Sequence, residues 1–321
     1  MKFVAFNDLH LHKFPYSKIT EDGKNELFEA GLNILDQVYS YCAENDICYL
    51  FFIGDLFYHR HKIDTDVYCN ETYNRIKKHQ EAYPFIKLIF IPGNHDQISK
   101  SGKHCLTPFE GIQNVRVIHH NEILTIPPLN QKIFCCPYAS DSFNLYGFLK
   151  DSTKDDIILM HQLIVNSPSL AGHLFKKDEA VDTSKLTFRV LFSGHNHRPF
   201  SRDGVYNIGA PMHHDFGDAP VLKRFFIEYD SDKKPLVTWI PTKFPIFATS
   251  DMKLPEGVIP SYLRRKIKDI VTSEEVSLDL IESDGLESIL KSYMSFLNSL
   301  IGETEVKEDL FNFGLKLLEE E

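Results

Sequence analysis

Five short motifs in this chain carry donor atoms suited to divalent ions: Asp8-Leu9-His10, Gly54-Asp55, Gly93-Asn94-His95-Asp96, the isolated His161, and Gly194-His195-Asn196-His197. Two carboxylates (Asp8, Asp55), one amide oxygen (Asn94) and four imidazoles (His10, His161, His195, His197) make an oxygen and nitrogen set that suits Mn, Fe, Zn or similar ions. No thiolate belongs to it. Seven ligands, with one carboxylate able to bridge, are too many for one tetrahedral zinc and about right for two ions. A lone Asp-x-His or a lone strand-end histidine is ordinarily a satisfied core or surface group. It is the ordered set that points to chemistry.

Each motif begins where a short apolar run ends. Strands are expected over Lys2 to Phe6, Tyr49 to Ile53, Lys87 to Ile91, Val115 to His119, Lys132 to Cys136, Ile157 to Met160, Val190 to Phe192, Gly204 to Ile208 and Lys223 to Tyr229. Most are almost continuously apolar, as strands buried on both faces tend to be. Between them lie amphipathic stretches. Leu27, Gly31, Leu32, Leu35, Val38, Tyr39 and Cys42 repeat at helical spacing, and a second helix is expected from Asp66 to Ala82, before Pro84. The alternation gives a layered α/β fold. In open α/β sheets ligands bind beyond the carboxyl ends of strands, so motifs far apart in sequence can converge there. Gly54, Gly93 and Gly194 each precede a candidate ligand, where a residue without Cβ lets the chain turn sharply.

The composition changes after Trp239. Ile240-Pro241-Thr242-Lys243-Phe244-Pro245, with Pro255 and Pro260, reads as a connector. The expected division is 1–245 for the catalytic domain, 246–283 for a connector or rudimentary cap, and 284–321 for a helical pair. Tyr262 to Val271 fits either a strand or a basic helix. Leu286, Ile289, Leu290, Tyr293, Met294, Leu297 and Leu300 share one helical face behind an Asp284/Glu287 capping pattern, and Val306, Leu310, Phe313 and Leu317 mark a second short helix.

Of the 321 residues, 35 are Lys or Arg and 45 are Asp or Glu, a formal charge of −10 that excludes general adhesion to polyanions. No apolar run reaches the roughly 18 to 20 residues that span a bilayer, and no signal-peptide pattern leads the first motif, so a cytoplasmic protein without a membrane partner is expected. The six cysteines show no C-x-x-C spacing and are expected to be reduced, mostly buried thiols.

The ordered motifs resemble the calcineurin-like metallophosphoesterases, whose pattern of D-x-H, GD, GNH[DE], a lone H and GH-x-H is matched from about Met1 to Pro220. The resemblance implies a four-layer α/β/β/α sandwich with two divalent ions at one edge. It implies that Asp8, His10 and His197 hold one ion, that Asn94, His161 and His195 hold the other, and that Asp55 bridges them. His95 would contact the scissile phosphate and serve the leaving oxygen, as an imidazole able to change charge near neutral pH can. The implied reaction is in-line attack on phosphorus by a water activated between the ions.

Within the superfamily the sequence looks most like the nuclease subunit of SbcC-SbcD-type repair complexes. Gly54-Asp55-Leu56-Phe57 matches that group's GDLF, Tyr206 to Pro211 and Asp215-Phe216-Gly217-Asp218 resemble its Y-x-G-[ST]-P and DFGE runs, and Ile240-Pro241-Thr242 resembles its exit from the catalytic domain. That resemblance implies a Mn-dependent 3'-to-5' DNA exonuclease with single-strand endonuclease activity, a homodimer, and a terminal helical pair that docks on an SMC-like ATPase. Two departures stand out: Tyr58 where many members carry Asp or His, with His59 and His61 following, and a short region for any DNA-capping domain. Arg264, Arg265, Lys266 and Lys268, and Lys100, Lys103 and His104, are candidate phosphate contacts. Phe14, Tyr16, Tyr58 and Phe216 are candidate stacking rings, in a chain where aromatics abound. Two other readings stay open: a small-molecule or cyclic-nucleotide phosphodiesterase of the same fold, and a non-catalytic recruiting subunit. The second is at odds with retention of every ligand, since buried imidazoles and carboxylates without an ion cost stability.

Overall fold

The computed structural model describes residues 1–59, 63–98, 103–126, 131–139, 142–234 and 236–264. In chain order the elements are β1 (Lys2–Phe6), α1 (Glu26–Glu44), β2 (Tyr49–Ile53), α2 (Asn74–Ala82), β3 (Lys87–Ile91), β4 (Val115–Val117), β5 (Glu122–Ile126), β6 (Gln131–Cys136), α3 (Ser142–Leu149), β7 (Ile157–His161), β8 (Val190–Gly194), β9 (Phe200–Arg202), β10 (Val205–Asn207), β11 (Phe225–Asp230), β12 (Val237–Pro241), β13 (Phe247–Thr249) and β14 (Tyr262–Arg264). Two six-stranded mixed sheets form, in the orders β12-β11-β1-β2-β3-β4 and β5-β6-β7-β8-β10-β9.

Period-two side-chain direction turns the apolar runs into layers. Val4, Phe6, Leu50, Phe52, Leu88 and Phe90 face Leu32, Leu35 and Val38 of α1 and Ile76 of α2. Their neighbours Phe3, Ala5, Phe51, Ile53, Ile89 and Ile91 meet Ile133, Cys135, Ile157, Leu159, Val190 and Phe192 between the sheets. On the far side, Phe134, Cys136, Ile158, Met160 and Leu191 pack with Leu145 and Leu149 of α3. The result is the expected α/β/β/α order, and each of the Val, Leu, Ile, Phe and Met side chains among them contributes roughly 1.5–3 kcal/mol on burial. Cys42, Cys135 and Cys136 lie buried as free thiols, whereas Cys48 is exposed.

The differences from the sequence reading have local causes. Asp66–Tyr73 is π-helical and only Asn74–Ala82 is α-helical. The Thr72 hydroxyl donates to the Val67 carbonyl, five residues back, at 2.6 Å. β12 lies in what reads as connector, because Pro241 ends an edge strand paired with β11, where its missing N–H costs no ladder bond.

The catalytic body also continues past Pro245. β13 and β14 pair in parallel, with Phe247 and Tyr262 stacked at 4.2 Å. Both rings join Phe14, Leu27 and Met212 in a further buried cluster, and the Phe247 N–H donates to His213 Nδ1 at 3.1 Å. Of the stretch read as strand or helix, Tyr262–Arg264 is strand, and the rest lies outside the described residues, as does the 284–321 helical pair. Among the described residues no helix is long and apolar enough to cross a membrane.

Candidate metal centre

All five motifs sit at or just beyond the carboxyl ends of parallel strands: β1, β2 and β3 in the first sheet, β7 and β8 in the second. The turns after β1 and β2 run side by side, with Asp8 N–H donating to Gly54 O at 2.9 Å and His10 N–H to Asp55 O at 3.1 Å. Four of the expected ligands have left-handed backbone: Asp8 (φ 51°), His10 (φ 46°), Asp55 (φ 61°) and His195 (φ 81°). Such conformations cost energy in non-glycine residues and persist where surrounding structure holds them, commonly at functional sites. Space is made by glycine. A Cβ on Gly93 would overlap Asp55 Oδ1, and one on Gly54, itself at φ 83°, would overlap His161 Nδ1.

The ligand atoms of Asp8, His10 and His197 lie within 4.8 Å of one another, and so do those of Asp55, His161 and His195. The opposite atoms of several of these side chains are already committed. Asp8 Oδ2 accepts from the Asn7 amide and from His195 N–H, while Oδ1 is buried without a hydrogen-bond donor. Asp55 Oδ1 accepts from His95 N–H at 2.7 Å, and Oδ2 lies 3.2 Å from His161 Nε2 and 3.7 Å from His10 Nε2. His161 Nδ1 meets the Ile53 carbonyl at 2.7 Å, which can only accept, so a neutral ring carries its lone pair on Nε2. That atom also lies 3.2 Å from Asn94 Oδ1, and His10 Nε2 lies 3.0 Å from His197 Nε2. Lone pairs therefore converge in two adjoining groups with Asp55 between them. Divalent cations fit this donor set.

The electrostatics match. Burial pushes His10 well below the ordinary imidazole range, His195 to about 3 and His197 to about 4, so all three hold neutral, metal-competent rings. Burial also raises Asp8 to about 7. For Asp55 burial is outweighed by His161, His10 and His95, and its carboxyl is held well below the usual range. His161 is raised to about 9, because Asp55 and Asp8 outweigh its burial.

His95 comes within the same reach of His10 and Asp55. Its Nδ1 donates to the Tyr58 carbonyl at 2.5 Å, which fixes the tautomer and leaves Nε2 for other work.

Several supporting residues were not assigned roles from sequence. Asp96, the last residue of the GNHD motif, is fully buried and accepts from the backbone N–H groups of Asp55 (2.8 Å), Leu56 (3.0 Å) and Gly93 (2.8 Å). It clamps the turns after β2 and β3 together. Burial and the Asp55 charge raise its pKa to about 7, against the pull of those donors. Asp218 lies behind His197, with Oδ1 3.9 Å from His197 Nδ1 and 2.7 Å from Nη2 of the buried Arg224. Asp218 Oδ2 accepts from His214 N–H at 2.9 Å, and His214 Nε2 donates to the Leu9 carbonyl at 2.9 Å. Arg224 already supplies positive charge there, so this group supports His197 instead of forming a third cation site. The sequence signal was an arginine directly before the apolar residues Phe225, Phe226 and Ile227.

Other candidates separate. His104 is buried against His119 at 3.1 Å, off the phosphate-facing surface expected of it, while Lys103 is exposed. Arg264 lies 5.3 Å over the Phe216 ring. Lys100, His61, Arg265, Lys266 and Lys268 lie outside the described residues.

The comparisons with known proteins follow this geometry. The family model described as calcineurin-like phosphoesterase matches residues 1–199. No curated protein matches the sequence. One similar solved structure is of a protein from Staphylococcus aureus, described as a candidate 5'-nucleotidase in complex with alpha-ketoglutarate. It is 12% identical, with a TM-score of 0.41, and the match covers 79% of this chain and 56% of that one, little more than half its length. With its full motif order at five strand ends and the family model matching residues 1–199, the chain belongs to the calcineurin-like phosphoesterases, metal-dependent hydrolases of phosphoesters.

Proposed function

We propose that the protein is a Mn-dependent nuclease acting on DNA ends, a 3'-to-5' exonuclease with single-strand endonuclease activity. The observation that carries the phosphodiesterase reading is the convergence of Asp8, His10, Asp55, Asn94, His161, His195 and His197 around two adjoining sites, with His95 Nε2 uncommitted beside them. The choice of DNA rests on the GDLF and DFGD motifs and their resemblance to SbcD-type subunits. Two divalent ions, when bound, would lower the pKa of a water and neutralise charge on the phosphoryl oxygens.

The chain's own groups do the rest. Asp8, His10 and His197 would hold one ion, Asn94, His161 and His195 the other, and Asp55 would bridge. The Tyr58 carbonyl holds a proton on His95 Nδ1, so Nε2 is the atom that passes a proton to the leaving oxygen. Asp96 and the Ile53 carbonyl keep the turns and His161 in place. In this reading the chain works as a homodimer with an SMC-like ATPase docked on the 284–321 region.

The test is release of nucleotide from end-labelled linear duplex by the purified protein with Mn, with Mg and with EDTA, beside His95→Gln. Mn-dependent release lost in the variant is the expected result. Hydrolysis of bis(p-nitrophenyl) phosphate with DNA left intact, both without and with the ATPase subunit, would overturn the nuclease reading in favour of a small-molecule phosphodiesterase.

A further inference from the structure

Beside the metal centre the structure gathers aromatic rings that are far apart in sequence. The Tyr58 ring lies 6.0 Å from His10 and 6.0 Å from His95, stacks on His12 at 5.6 Å, and meets the edge of Phe14 at 5.1 Å. Phe14 in turn stacks on Tyr16 at 5.2 Å. The inner members are structural: Phe14 is only 5% exposed and belongs to a buried cluster. The outer members are not buried. Tyr58 is 40% exposed and Tyr16 52%, although both are pinned, Tyr58 by His12 and Phe14, and Tyr16 by its hydroxyl donating to the His214 carbonyl at 2.8 Å. His12 stacks on the Tyr58 ring and Phe14 and His59 meet it edge to face, and the residue still keeps its exposed area.

Rigid aromatic rings left open next to a phosphoester site suit one kind of ligand group, a flat π system joined to the phosphate through a short linker. A nucleobase is that group, since only a sugar separates it from its phosphate. The charge balance points the same way. At a formal charge of −10 the chain gains little from general attraction to phosphates, so contacts that do not depend on charge add to its hold on a nucleic acid. Lys13 is paired with Asp66, and Lys18 lies over the Tyr262 ring.

We infer that Tyr58 and Tyr16 form a stacking shelf for the nucleobase adjoining the scissile phosphoester, so that the site favours nucleotides whose base is unpaired. This rests on the nucleic-acid reading of the substrate, and Tyr58 would be its main contact because it alone of the two adjoins His10 and His95. The base can be supplied by a strand end or by a free nucleotide.

The test uses 2-aminopurine, whose fluorescence falls on stacking. The His95→Gln protein in Mg is titrated into a single-stranded oligonucleotide with terminal 2-aminopurine and, separately, into 2-aminopurine ribonucleoside monophosphate. Quenching is expected, weakened about tenfold in apparent affinity by a further Tyr58→Leu and retained with Tyr58→Phe. Quenching of the oligonucleotide alone assigns the shelf to strand ends, and equal quenching of the mononucleotide assigns it to free nucleotides. No quenching, or equal quenching with Tyr58→Leu, overturns the shelf. In a parallel cleavage assay the preference for a base-bearing over an abasic terminal nucleotide should collapse toward one in Tyr58→Leu. DNA cleaved without such a preference sinks the shelf and leaves the nuclease reading standing. Stacking without any DNA cleavage does the reverse.

Discussion

The His95 ring is held through Nδ1 by the Tyr58 backbone carbonyl, while Asp55 Oδ1 takes only its main-chain N–H, so the ring's role can be separated from metal holding. His95→Gln should lower phosphodiester hydrolysis by about 10²- to 10⁴-fold while bound metal, measured by elemental analysis, stays at the wild-type stoichiometry. Loss of metal along with activity would make His95 a ligand. The Asp218–Arg224 pair makes a different prediction. Arg224 is buried with its charge set against Asp218, and Asp218→Asn strands it; breaking such a pair costs about 3–5 kcal/mol, which denaturant unfolding of the metal-free protein would register. The Asp218 carboxyl is depressed below its ordinary 3.8. Burial raises it, but His214, Arg224 and His197 outweigh that, so its stabilisation is fully present above 3.8 and is lost as pH falls from there through the depressed value.

The strands are continuous apolar runs that end in ligands, and the turns between run and ligand are held by groups whose role is geometric. Gly93→Ala should abolish metal binding with the secondary structure intact, because the added methyl occupies the place of Asp55 Oδ1; calorimetric titration with Mn beside circular dichroism would check it. Asp96→Asn keeps the shape but supplies a donor where three backbone N–H groups converge on the carboxylate. A weaker metal affinity is expected, with a smaller loss of fold stability than Asp218→Asn. These strands, and α1, were legible because continuous apolar runs and apolar residues at helical spacing are written in residue type. β5, β9, β12 and β13 were not, being short or at sheet edges, where pairing with a distant partner decides the conformation.

Taken as a body, the protein places two carboxylates and three neutral imidazoles around a buried charge centre, and its stability should depend on what fills it. His161, raised to about 9 from 6.5, stabilises the metal-free fold fully below pH 6.5, and that contribution is lost as pH rises through 9. Bound ions replace the proton. The melting temperature of EDTA-treated protein should therefore fall between pH 6.5 and 9, and at a fixed Mn concentration the gain on adding Mn should widen across the same interval, free ion at one hundred times Kd stabilising by about 2.7 kcal/mol. A gain that shrinks with rising pH would place the competing proton elsewhere.

Residue type and order alone marked the seven candidate ligands and the strands that end in them, because metal donors are chemically distinctive and strands buried on two faces must be apolar throughout, while the role expected of His95 came with the family resemblance. Only the folded chain brought in Asp96, His214, Asp218 and Arg224, whose partners lie on other strands, and only it gathered Tyr58, Phe14 and Tyr16 into one ladder among many aromatics. A donor can be recognised by its own atoms, whereas a clamp, a buried ion pair or a stacking surface exists only as a relation between residues that packing has made neighbours.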